Sequence, residues 1–125
     1  MKFGIAAVLA VVSFPATAQT MNAEAFNQRI QALKAKGAMA MFSPGEIKAL
    51  TAEGQAAGKA ARAQQTAAVK AGKTPRFCAP DGPQKMKSDE FMTRLAAIPQ
   101  AERQKIDMTE AMTRMLAVKF PCKTS

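Results

Sequence analysis

No histidine, tryptophan or tyrosine occurs in this chain, and cysteine occurs only twice. The lack of histidine removes the imidazole base of serine and cysteine nucleophile sets, and the paired-histidine zinc sites with it. Glycine is sparse and never builds a phosphate loop, because Gly54 and Gly58 fall inside a helical pattern and do not follow a strand. Strand signals are also scarce: alanine dominates, valine and isoleucine are scattered, and aromatics make up 6% of the residues. Carboxylate pairs are the remaining catalytic candidates. Asp89 and Glu90 are adjacent and so diverge on a helix, while Asp107 and Glu110 have the spacing of a helix cap. Neither suits a glycosidase-like pair. The chain is therefore read as a non-enzyme without a cofactor, and no catalytic residue is assigned.

What is present begins with MKFGIAAVLAVVSFPATA, which joins an early lysine, an apolar run from Phe3 to Phe14 and the small triplet Ala16-Thr17-Ala18. This is the pattern of a secretory signal peptide, 1–18, cut before Gln19. The run is shorter than the ~20 residues of a spanning helix, and nothing later is apolar enough to cross a bilayer. The expected location is periplasmic or secreted. The 125 residues less the leader's 18 leave 107, enough for a single domain, 19–125. Loss of Lys2 lowers the formal charge from +9 to +8, so acidic surfaces are the natural partners. An exported chain meets oxidising conditions, and its two thiols permit one bridge, Cys78 to Cys122. A reactive thiol pair would prefer the close Cys-x-x-Cys spacing.

Apolar periodicity points to an all-α bundle of about four helices. In NAEAFNQRIQALKAKG, Phe26, Ile30 and Leu33 share a face, with Gly37 as the stop. Ser43-Pro44-Gly45-Glu46 reads as a capping box opening a long helix to about Lys70. Its buried face is expected to start at Ile47 and Leu50 and to narrow to Gly54, Ala57, Ala61 and Ala68. Residues 71–87 are turn chemistry, with a type I turn expected from Ala79 through Gly82. A third helix fits Ser88, as cap, to Ile98, with Phe91 and Leu95 on its inner face. Pro99 ends it or starts a short turn through Arg103. The last helix is capped by Asp107 and halted by Pro121, with Met108, Met112, Met115 and Leu116 facing inward. The methionine spacing could also suit Cu(I), but it is the spacing of a buried stripe.

Between Glu53 and Asp81 stand five basic residues and no acid: Lys59, Arg62, Lys70, Lys73 and Arg76. Of these, Arg62, Lys70, Lys73 and Arg76 are the candidate partner-binding residues, as rim charges that steer association. The default for such charges is a solvated face. Specific nucleic-acid binding is not expected, since Phe77 is the segment's one aromatic residue. A cationic envelope protein that binds anionic polymers without selectivity is the alternative function.

The blocks FCAPDG at 77–82, LAAIPQAER at 95–103 and IDMTEAMTRMLAVKFPC at 106–122 resemble the C-terminal half of Rap1a/Tai-type immunity proteins. Cys78, Pro80, Gly82, Pro99, Pro121 and Cys122 carry the resemblance, which covers somewhat under half of the chain after the leader. The first half lacks that family's further cysteines and its Cys-x-Gly-Tyr-like element. The resemblance implies a small, exported, helical, disulfide-bonded protein, a homodimer in many members. It also implies a protein partner: a toxin delivered into the periplasm by type VI secretion, which the immunity protein binds and blocks. The segment KAKGAMAMFSPGEIKALTAEGQAAG also resembles exported alphaproteobacterial proteins, which implies kinship and no function.

Overall fold

The computed structural model describes residues 21–82 and 85–123; the expected leader lies outside them. Among the described residues five α-helices follow in order: α1 (Ala23–Lys36), α2 (Pro44–Lys70), α3 (Ser88–Ala97), α4 (Gln100–Arg103) and α5 (Met108–Lys119). A 3-10 helix, Gly37–Phe42, joins α1 to α2, and no β-strand occurs among the described residues. The small all-α bundle with one disulfide is as expected from the periodicity.

Local chemistry sets most of the ends. Asn22 opens α1 by accepting from the Ala25 N–H at 3.1 Å. Gly37 closes it with φ +54°, a backbone conformation that a side chain would strain. At the end of α2 the Gly72 N–H donates to Val69 O and the Lys73 N–H to Ala68 O, at 3.1 and 2.8 Å. With Gly72 at φ +71° these bonds form a Schellman motif that satisfies the last carbonyls. Asp107 caps α5 as expected, accepting from the Glu110 N–H at 2.8 Å.

Three local expectations are corrected. Ser43 makes no side-chain cap bond, and the Glu46 carboxylate, which would complete the box by reaching the Ser43 N–H, is instead held by Arg29 of α1 through two bonds of 2.6 Å. Ser88 is not a cap but the first residue of α3, and Lys87 stands in the cap position. Asp81 and Gly82 form a bend rather than a hydrogen-bonded type I turn.

The core gathers Phe26 and Ile30 of α1, Leu50, Ala57 and Ala61 of α2, Leu95 of α3, and Met108, Ala111, Met112 and Met115 of α5. Phe77, from the elbow, is fully buried among them. The Phe26 and Phe91 rings meet edge to face at 5.8 Å. The methionine series is thus a core stripe, its members at most 8% exposed.

The small residues of α2 let α5 lie close against it, as expected. At 1.5 Å per residue, the 27 residues of α2 span about 40 Å and the 12 of α5 about 18 Å. The longer helix therefore overhangs the shorter. Ile47 near one end and Val69 near the other are 43% and 57% exposed, so the buried face begins at Leu50 and not at Ile47.

Two glycines remain in the middle of α2 without a steric need. A Cβ on Gly54 would meet Phe91 Cζ at 3.9 Å, and one on Gly58 would meet Met112 Cε at 4.0 Å, both ordinary contacts. Gly54→Ala and Gly58→Ala should each raise stability by about 0.5–1 kcal/mol, through helix propensity and a less free unfolded chain. Urea midpoints would show this as an upward shift at unchanged slope; a downward shift would mean that α5 needs a closer approach than these distances indicate.

Two further devices hold the chain's distant parts together. Asn22 and Asp107 form an isolated antiparallel bridge, in which the Ala23 N–H donates to Ile106 O and the Met108 N–H to Met21 O. Arg103, at the end of α4, donates to Glu24 Oε2 at 2.7 Å and to the carbonyls of Ala96 and Ile98. Both charged side chains are nearly enclosed, at 11% and 8% exposed.

Candidate partner-binding surface

The elbow of residues 71–82 is fixed around Phe77 and Cys78. Phe77 plugs the core, and its carbonyl accepts from Gln65 Nε2 of α2 at 2.8 Å. The Cys78 N–H donates to Phe120 O at 2.8 Å. Cys78 and Cys122 are bonded, with their Cα atoms 4.9 Å apart, the one bridge that the two thiols were expected to form. Both cysteines of the chain are used, so no reactive thiol remains among the described residues.

This frame positions the basic strip. Arg62 is half-buried on α2, while Lys70 in its last turn and Lys73 just beyond it are exposed. None of these three pairs with an acid among the described residues. Lys70 and Lys73 are brought together by the Schellman turn, where positive charge is favoured by the helix C-terminus. Arg76 differs. Its guanidinium grips Glu110 of α5 through bonds of 2.5 and 2.7 Å, so it ties the elbow to α5 at the edge of the strip. Beside it is a shallow cleft of about 80 Å³ whose walls include Ala61, Gln64, Arg76, Phe77 and Thr113. That volume suits a few waters and no organic substrate.

The carboxylates considered for catalysis are mostly engaged. Asp107 caps α5, and Glu90 is bound by Lys119 at 2.5 Å and Arg94 at 3.1 Å. Asp89 stands exposed in the first turn of α3. No group of three or more cysteine, aspartate or glutamate side chains is placed to hold a metal among the described residues.

Hydrogen bonds from Arg76, and then from Arg114, hold the Glu110 carboxyl below its ordinary value near 4.5 against the opposing effect of burial. Lys119 and then Arg94 do the same for Glu90, and Arg29 for Glu46. Depressed folded values contribute stability that is present above the unfolded value and lost as pH falls through the folded one. With no histidine and no free thiol among the described residues, no side chain type present has its ordinary value between about pH 5.5 and 8. Urea midpoints should therefore be flat across that window and fall below about pH 4.5. Glu110→Gln should lower the neutral plateau and shrink the acid fall. An unchanged profile would show that the Arg76 pair adds nothing.

A second surface was not anticipated. Met39, Met41 and Phe42 of the 3-10 helix are 64%, 81% and 81% exposed, beside Ile47 at the start of α2. An apolar stretch, GAMAMF, that fits neither the helical nor the strand period and lies between lysines was the available signal.

No helix of the described residues is long and apolar enough to cross a membrane. No protein-family model, no curated protein and no solved structure matches this chain.

Proposed function

We propose that the protein is exported to the periplasm and acts there as a stoichiometric binding protein, in the manner of the immunity proteins that its C-terminal half resembles. The observation that carries this reading is the joining of FCAPDG to FPC. The disulfide and the bond from the Cys78 N–H to Phe120 O make the two motifs one unit, with Phe77 sealed beneath them. The cleft beside Arg76, at about 80 Å³, is too small for an organic substrate, and the exposed lysines near it offer a face to a macromolecule. The partner is a toxin with an acidic face, delivered into the periplasm, and binding occludes its active site. Arg62, Lys70 and Lys73 steer its approach, with Arg76 at their edge.

The test is capture by the tagged, disulfide-bonded protein from periplasmic and secreted fractions, washed at high salt, with mass spectrometry of what is held. One toxin-like protein at near-equal stoichiometry is expected, and Arg62→Gln, Lys70→Gln and Lys73→Gln together should slow its association more than they speed its release. Heterogeneous material that leaves in salt would overturn the reading.

A further inference from the structure

From Ala25 to Gly45 the chain has no acidic residue, while Arg29, Lys34 and Lys36 are basic. Folding turns this stretch into a corner. α1 runs in, the 3-10 helix caps the turn, and α2 runs out with Lys48 in its second turn. The 3-10 helix packs chiefly against α1, and its outer side chains Met39, Met41 and Phe42 stand in solvent beside Ile47. The nearest carboxylate, Glu46, is neutralised by the two-bond grip of Arg29, and the charge of Lys36 also reaches it. Lys34, Lys36 and Lys48 are exposed and pair with no acid among the described residues. The result is an exposed apolar corner flanked along the chain by lysines that pair with no acid among the described residues.

We propose that this corner docks the protein on an anionic phospholipid surface, with Met41 and Phe42 entering the headgroup boundary and the three lysines meeting lipid phosphates. Charge selects this occupant. A symmetric second copy would bring Lys34, Lys36 and Lys48 against their own equivalents. Exposure agrees, because apolar side chains already in solvent can enter a fluid interface, and methionine adapts to such surroundings. The contact is interfacial, since no described helix can span a bilayer. It uses none of the residues of the basic strip, so it stands or falls independently of the toxin-binding reading.

The experiment is co-sedimentation of the disulfide-bonded protein with vesicles of phosphatidylcholine alone, and of phosphatidylcholine with roughly one-third phosphatidylglycerol. Circular dichroism checks that each variant is folded. Binding should appear only with the anionic vesicles and weaken with salt. Lys34→Gln, Lys36→Gln and Lys48→Gln should each reduce it about fivefold, and Met41→Ser with Phe42→Ser by about tenfold or more. No binding would overturn the proposal. Binding indifferent to the Met41 and Phe42 changes would overturn it as well, leaving only charge adsorption. So would a dimer seen by sedimentation equilibrium that the same two changes dissolve while vesicles go unbound, because that would assign the corner to a second copy.

Discussion

Replacing Arg103 with methionine is expected to cost about 3–5 kcal/mol of folding stability. The size follows from what is left behind. Glu24 is buried, at 8% side-chain exposure, and its carboxylate accepts from Arg103 Nε at 2.7 Å. Without the guanidinium a charged group stays enclosed with no counter-charge, while the carbonyls of Ala96 and Ile98 lose a shared donor. The loss is a large part of the total for a domain of this size, whose stability is of the order of 5–15 kcal/mol. The double change Arg103→Met with Glu24→Met removes both charges and should recover part of the loss. It should not recover all of it, because the two carbonyls still lack their donor, at about 1–3 kcal/mol for groups that remain buried. Urea unfolding of the two single variants and the double variant closes the cycle. A loss below about 1 kcal/mol for Arg103→Met would show that Glu24 finds water or another donor, and that this pair is not what holds α1 to the turn after α3.

Removing the disulfide is the second large effect. Cys78 and Cys122 are 44 positions apart, and a loop of that length corresponds to about 4 kcal/mol of unfolded-chain entropy, with measured values commonly about 2–4. Cys78→Ser with Cys122→Ser should therefore lower the thermal midpoint by roughly 10–20 °C, and reduction of the unaltered protein should do the same. Helical content should survive at low temperature, because Phe77, the bond from the Cys78 N–H to Phe120 O and the Arg76 to Glu110 pair still hold the elbow. A midpoint that does not move on reduction would mean that these non-covalent ties already restrict the chain as much as the bridge does.

The parts of the fold that depend on near neighbours were legible in the sequence. Phe26 and Ile30 share a face because they are one helical turn apart, and Asp107 reaches the Glu110 N–H because a cap acts over three residues. The parts set by distant partners were not. Ser43 and Glu46 have the spacing of a capping box, yet Glu46 is taken by Arg29, a residue 17 positions earlier that only the folded α1 presents. Ile47 continues the apolar period of α2 but stands in solvent, since α5 is less than half as long as the helix that it covers. The bond from Arg103 to Glu24 spans 79 positions and leaves no local trace. Of the candidate surface, the basic strip was legible as composition. That Arg76 is committed to Glu110, and that Met41 and Phe42 face outward, depends on where α5 and α1 lie.

The bridge between Asn22 and Asp107 has a consequence for the order in which the molecule can form. It joins the start of the first helix to the start of the last, 85 positions on, and the core of α1 and α2 is closed by Met108, Met112 and Met115 of that last helix. A chain that emerges from its amino end, as in synthesis, presents α1 and α2 before the α5 layer that covers them. Until α5 is available, the faces of α1 and α2 lack the cover of Met108, Met112 and Met115, and Cys78 has no bonding partner. The core is thus completed only when the whole chain is available, since contacts between distant segments form only after the intervening chain is free. The bond between Cys78 and Cys122 waits for the same event, so oxidation closes a structure whose distant segments have already met.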